Sequence, residues 1–160
     1  MLRKIWTEFI SLILRRPSRY QVAALCWRQG PAGPEVLLIS SLDTGRWILP
    51  KGWPKVGNDG PGTALEEAWE EAGIHVEGPP PRPVGRYSYR KRLRGDVPVR
   101  TDVDVFAIEV SRLLDDYPEK GRRRREWFAP ARAAELVQEP ELARLLRDSP
   151  ALIAAASPLP

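Results

Sequence analysis

LPKGWPKVGNDGPGTALEEAWEEAGI, residues 49–74, decides how the rest of the chain reads. Residues 50–62 hold four glycines and three prolines, which mark a loop because neither residue type sustains a helix or strand. The second half packs Glu66, Glu67, Glu70 and Glu71 into six residues ahead of Gly73, a residue suited to ending a helix. Carboxylates at i, i+3 and i+4 share one helical face, so Glu67, Glu70 and Glu71 converge. Like charges at that spacing repel by about 0.2–0.5 kcal/mol per pair even on an exposed helix. A hard cation relieves the repulsion, since Mg²⁺ is bound through carboxylate oxygens, water and substrate phosphates. The stretch reads as loop, helix and metal site. The competing reading is a solvated acidic helix face.

The order of these residues resembles the signature of the Nudix hydrolases, G-x5-E-x7-R-E-U-x-E-E-x-G-U, where U is a bulky apolar residue. Gly52 opens the motif, and Glu67, Glu70, Glu71, Gly73 and Ile74 fall in register, with Ala68 as a smaller first U. Two positions depart: Asn58 stands where the motif has Glu, and Glu66 where it has Arg. The segments YQVAALCWR (residues 20–28), EVLLISS (35–41), RWILPKG (46–52) and GRRRREWF (121–128) frame the motif. In this order they are similar to the diphosphoinositol-polyphosphate and diadenosine-polyphosphate hydrolase branch of the family. The resemblance runs from about residue 19 to residue 136.

That resemblance implies an α/β/α sandwich with a mixed sheet, and hydrolysis of a P–O–P bond in a phosphate-rich small molecule. Dinucleoside polyphosphates and diphosphoinositol polyphosphates are the implied substrates, and Mg²⁺ the implied cofactor, with Mn²⁺ as an alternative. Carried over position by position, Glu67, Glu71 and the backbone carbonyl of Lys51 would bind metal, and Glu70 would be the general base. Arg19, Ser40, Ser41, Arg46, Arg90, Lys91, Arg92 and Arg123 would hold substrate. Pro140–Glu141 occupies the region where the branch has a basic residue, which counts against the most highly phosphorylated inositols. The rival expectation is a Nudix domain that binds a nucleotide or protein partner without turnover.

The departures need a physical account. Glu66 adds a fourth carboxylate, i to i+4 from Glu70, and repulsion at about 4 Å is on the order of 4 kcal/mol at an effective dielectric near 20. Thr63-x-x-Glu66 has the spacing of a capping box, which would occupy Glu66 if the helix began at Thr63. Pro61 would instead suit a first helical position. Alternatively Arg46 or Arg86 fills the place of the motif's Arg. Asp59 would replace the charge lost at Asn58 if the loop shifted by one residue.

Bulk properties bound the rest. A chain of 160 residues with net charge +4 suits one domain. Basic residues cluster at 86–94 and 122–125, as a polyanionic substrate requires, because guanidinium groups grip phosphate bidentately. Nucleic acid is the weaker partner: no aromatic ladder, helix-turn-helix or zinc spacing accompanies the basic runs. No run of 18 apolar residues exists to span a membrane. Cys26 is the single cysteine, which excludes an internal disulfide, fits a reducing cytoplasmic setting, and reads as a small buried hydrophobe.

Residues 1–17 read as an N-terminal amphipathic helix with Leu2, Ile5, Trp6, Phe9 and Ile13 on one face. Such a face packs on the domain or on a second copy in a homodimer; attachment to a membrane surface is the weaker alternative. Glu8 interrupts what would otherwise resemble a signal core. Residues 18–148 form the expected catalytic domain and 149–160 a flexible tail, frayed from Ser149. Within the domain the patterning predicts a hairpin about Gly30–Pro34, a short strand over 46–49, and strands over 84–93 and 99–110 joined at Gly95–Asp96. A last strand over 125–128 precedes helices over 131–137 and 140–147.

Overall fold

The computed structural model describes residues 19–54, 56–92 and 98–156, with backbone alone at 91, 92 and 156. The helix expected over residues 1–17 and the Gly95–Asp96 turn lie outside the described residues. In chain order the strands are β1 (Arg19–Gly30), β2 (Gly33–Ser40), β3 (Trp47–Ile48), β4 (Lys51–Gly52), β5 (Ile74–His75), β6 (Arg82–Arg92), β7 (Pro98–Glu109), β8 (Arg112–Leu113) and β9 (Arg125–Phe128). The helices are α1 (Gly60–Ala72), α2 (Pro130–Leu136) and α3 (Pro140–Ala156). The main sheet runs β3-β2-β1-β7-β6, with β4 added to β1 and β9 to β2. β1 and β7 are parallel and the remaining pairs antiparallel, so the sheet is mixed.

The apolar run at the centre of β1 is buried on both faces, as a strand covered by helices on two sides must be. Its side chains alternate. Val22, Ala24 and Cys26 face α1, joined by Leu37 and Ile39 of β2. Ala23 and Leu25 face α2 and α3, joined by Val36 and Leu38. Helix α1 lies against its side through Ala64, Ala68 and Ala72, all fully buried. Their i, i+4, i+8 spacing and small size bring the helix axis close to the sheet, which explains why an alanine stands at position 68.

Helix α1 begins earlier than the capping box requires. Asp59 is the N-cap, accepting from the Gly62 N–H at 2.7 Å, and Pro61 occupies the first turn. The Thr63 N–H donates to the Asp59 carbonyl, so Thr63 sits inside the helix and the box does not form. The other end is as expected: Gly73, at φ 66°, turns left-handed and donates to the Ala68 and Trp69 carbonyls.

On the opposite face the sequence underestimates the last helix. The chain does not fray at Ser149; α3 continues through Pro150 to Ala156. Pro150 has no N–H for the Leu146 carbonyl four residues back, and the buried Ser149 hydroxyl donates to that carbonyl instead, at 2.6 Å. Ile153, beyond the proline, is buried in the core. A second departure is the small β5–β8 sheet, whose two-residue strands carry no pattern a sequence can show. It folds the segment after β8 beneath the C-terminus of α1, where Arg125 donates to the Ala72 and Leu114 carbonyls at 2.8 Å each.

Candidate active site

Strand β4 and helix α1 converge at one mouth of the sandwich on a cleft of about 800 Å³. Glu67 and Glu71 line it and are both buried, at 7% and 8% exposure. A Cβ on Gly52 would lie 2.2 Å from Glu67 Oε1. Only glycine lets the carboxylate rest against the strand backbone there. The Lys51 N–H donates to Glu71 Oε2 at 3.3 Å, which brings the second carboxylate to the same strand.

Burial pushes the Glu71 carboxyl up to about 8 from its ordinary 4.5, against the pull of Arg123 and Lys51 and with a further push from Glu67 and Glu119. A buried carboxylate pair of this kind is what a hard cation neutralises. Among the described residues no three His, Cys, Asp or Glu side chains form a metal-binding group. Mg²⁺, however, needs only one or two carboxylates beside water and substrate oxygens. The Glu67–Glu71 pair beside the backbone at Lys51–Gly52 fits it.

The basic side is assembled differently. Arg123, nearly buried, donates to Glu119 Oε1 at 3.3 and 3.4 Å and to the Ser40 carbonyl at 3.2 Å, with Glu71 Oε1 at 3.7 Å. Arg46 pairs with buried Glu139. Lys51 Nζ lies over the Tyr89 ring, 5.8 Å from its centroid, and the Tyr89 hydroxyl donates to Gln21 at 2.7 Å. Arg19 stacks over Trp53 at 5.6 Å, and Trp53 remains 41% exposed at the cleft edge. Exposed Arg90 completes the rim.

Of the residues expected from sequence, Lys51, Glu67, Glu71, Ser41, Arg46, Arg90 and Arg123 meet around this cleft. Ser40 does not line it: its hydroxyl accepts from the Arg124 N–H at 2.8 Å, and the side chain is buried. Ser41 does, paired with Thr44 at 2.9 Å. Glu70 is half-buried and is not among the lining residues; its carbonyl accepts from the Glu119 N–H at 3.0 Å. The side chains of Lys91 and Arg92 lie outside the described residues. Glu119 is the acidic group that the sequence does not flag: it stands four residues before Arg123 in the β8–β9 connection, and only the fold carries that pair to Glu71. Neither Arg46 nor Arg86 takes the place of the motif's Arg, since Arg86 pairs with Asp104 at 2.6 Å and Arg46 with Glu139. Asp59 does not replace the charge lost at Asn58, being committed to the helix cap. Instead the Asn58 amide donates to Glu66 Oε2 at 2.7 Å.

A sequence model of the NUDIX domain matches residues 19–148. The chain therefore belongs to the Nudix family, and within it to the pyrophosphohydrolases. Its similarity is to the diphosphoinositol branch: mouse diphosphoinositol polyphosphate phosphohydrolase 3-alpha is 32% identical over 120 residues, covering 74% of this chain and 68% of the relative. Human diphosphoinositol polyphosphate phosphohydrolase 2 is 29% identical over 126 residues, 78% of this chain and 65% of the relative. Among solved structures, a binary complex of the C. elegans Ap4A hydrolase superimposes with a TM-score of 0.65 at 21% identity, over 86% of this chain and 98% of that one. At that identity the likeness establishes the fold.

Proposed function

We propose that the chain hydrolyses a phosphoanhydride bond in a dinucleoside polyphosphate, with Mg²⁺ held at Glu67, Glu71 and the Lys51 carbonyl. The observation that carries this reading is the buried Glu67–Glu71 pair, laid against a glycine that cannot bear a side chain and opening on an arginine-rimmed cleft. When bound, a divalent cation neutralises phosphate charge and lowers the pKa of a coordinated water. The chain's own residues do the remainder. Glu70, one turn along α1 from Glu67, is the candidate base for the attacking water, a role that requires its carboxylate to turn toward the cleft it does not line here. Arg123 and Arg90 hold phosphate oxygens outside the cleaved bond, and Arg46 stands at the cleft wall.

Two features favour a dinucleoside polyphosphate over a diphosphoinositol polyphosphate. First, acidic partners already engage Arg46 and Arg123, which lowers the positive charge offered to a densely phosphorylated ring. Second, Trp53 presents an aromatic face at the cleft edge, with Arg19 over it, and aromatic and guanidinium planes stack on nucleobases. A panel of diadenosine tetra- and pentaphosphate, a diphosphoinositol phosphate, ATP and ADP-ribose, each with and without Mg²⁺, tests the reading. We expect Mg²⁺-dependent cleavage, fastest with the diadenosine compounds. Preference for the inositol would reverse the substrate order, and tight binding without cleavage would leave a ligand-binding domain. Glu70→Gln should lower kcat by about 10²–10⁴-fold with the fold intact, and a near-normal rate would remove Glu70 from the base role.

A further inference from the structure

The two positions at which this chain departs from its family motif touch each other, and from that contact we infer that Asn58 and Glu66 form a latch. It ties residues 56–59, the end of the cleft-edge loop, to the helix that carries the acidic pair. The inference rests on the cleft being the reacting site. An ionised carboxylate only accepts hydrogen bonds, so the bond at 2.7 Å requires the Asn58 Nδ2 to donate and Glu66 Oε2 to accept. The motif's own pair, Glu at 58 and Arg at 66, would put acceptor and donor the other way round. Here both positions differ from the motif. Glu at 58 would face Glu66 with a second carboxylate, whereas asparagine keeps nearly the same reach and supplies a proton.

The surroundings show why this contact positions the loop. At its start, Gly52 lies under Glu67 so closely that no Cβ fits. At its end, Asn58 is bonded to Glu66, the adjacent helical residue. Both ends of one loop are therefore held on a single turn of α1. Next to Asn58 the chain is fixed by the Asp59 cap, which needs Gly62: a Cβ there would lie 2.9 Å from Asp59 Oδ1. Gly60 is packed so tightly on Phe106 that a Cβ would lie 2.5 Å from the ring. The helix start cannot shift to compensate if the latch opens. Between the two anchors stand Trp53 and Pro54, which line the cleft. The latch is thus a positioning device for substrate, one step removed from the acidic pair, and its loss should appear in KM before kcat.

Reversal of polarity at nearly constant shape tests it. Asn58→Asp removes the donor and sets two carboxylates together. The double variant Asn58→Asp with Glu66→Gln restores one donor, one acceptor and the original total charge. We expect Asn58→Asp to raise KM for the best substrate about tenfold, the scale of a lost charge-assisted hydrogen bond, with kcat within about threefold of the parent. The double variant should recover most of the KM. Amide hydrogen exchange over residues 52–59 reads the same cycle without turnover: faster in Asn58→Asp, restored in the double variant. That second readout separates failure of the latch from failure of the proposed reaction. A parental KM in Asn58→Asp, a double variant no better than the single, or a change in exchange with no change in KM would each overturn the inference.

Discussion

The two sides of the cleft are built on opposite physical terms. The acidic side stands on one helix, clamped by three fully buried alanines and an αL glycine cap, and presents its carboxylates from within the protein. The basic side is gathered from four separate segments: the end of β6, the β2–β3 connection, β4, and the approach to β9. Its arginines are supported by carboxylates of their own, Glu139 beneath Arg46 and Glu119 beside Arg123. Charges that must meet a metal at fixed geometry benefit from a rigid element with few degrees of freedom. Charges that grip a flexible chain of phosphates tolerate a looser frame. The comparison therefore expects the acidic side to control kcat and the basic side to control KM and stability.

The largest effect should come from breaking the acidic side. Glu71→Gln removes a group that a bound cation requires, and several kcal/mol of transition-state stabilisation should go with it. That corresponds to a loss on the order of 10³-fold in kcat. The same change should leave the metal-free fold at pH 8 as stable as the parent or more so, because burial makes the ionised Glu71 costly. Activity lost while the melting temperature holds or rises would mark a residue placed for chemistry. A large fall in both would make Glu71 a structural group.

Next comes the support beneath the basic side. Arg46→Met strands buried Glu139, one oxygen of which already has no hydrogen-bond partner. Breaking a fully buried pair costs about 3–5 kcal/mol. Arg46 keeps a quarter of its side chain exposed, so about 2 kcal/mol is expected here. Urea unfolding measures it, and the paired change with Glu139→Met should recover much of the loss. An unaltered midpoint in Arg46→Met would show that the pair contributes nothing to the fold.

Much of this division is visible in the chain itself, and the part that is not has identifiable causes. The acidic side is local in sequence: Glu67, Glu70, Glu71 and Gly73 share one helix, so helical periodicity alone places them. The hairpin and the long β6–β7 pair follow equally from alternation and turn residues, and the layered sandwich from the family resemblance. Glu139 escapes notice because it meets Arg46 across 93 residues, and Glu119 because its pairing with Arg123, only four residues on, lies in an irregular connection with no periodicity to show it. The Asn58–Glu66 bond is hidden for another reason. Each residue read singly is a defect in the motif, and only the fold shows the defects to be partners. Pro150 misleads in the same way, since its usual meaning as a helix stop is cancelled by a hydroxyl one residue earlier.

A smaller effect concerns pH. The folded Glu71 carboxyl titrates near 8 and the unfolded one near 4.5. A raised carboxyl favours the fold while protonated, so its contribution is complete below about 4.5 and fades as pH climbs through 8. The cation needs the carboxylate and must displace that proton, so Mg²⁺ affinity should rise across the same window. Melting curves with and without Mg²⁺ at pH 6.5 and pH 8.5 would show it as a larger metal-induced shift at the higher pH. Equal shifts would mean that Glu71 is already ionised at pH 6.5, or that the metal binds elsewhere.

The smallest effect should lie at the exposed rim. Arg90 is at the cleft mouth with its side chain in solvent, where water and salt screen its charge. Arg90→Ala should raise KM only a few-fold, leave kcat and the melting temperature unchanged, and lose most of its effect by about 0.5 M salt. Arg123, buried beside Glu71 and Glu119, differs on each count: its removal strands two carboxylates and should be nearly insensitive to salt. If Arg90→Ala instead lowered kcat as strongly as Glu71→Gln does, the rim would be part of the reacting geometry. The contrast between a rigid acidic side that sets rate and a compliant basic side that sets affinity would then fail at its most exposed point.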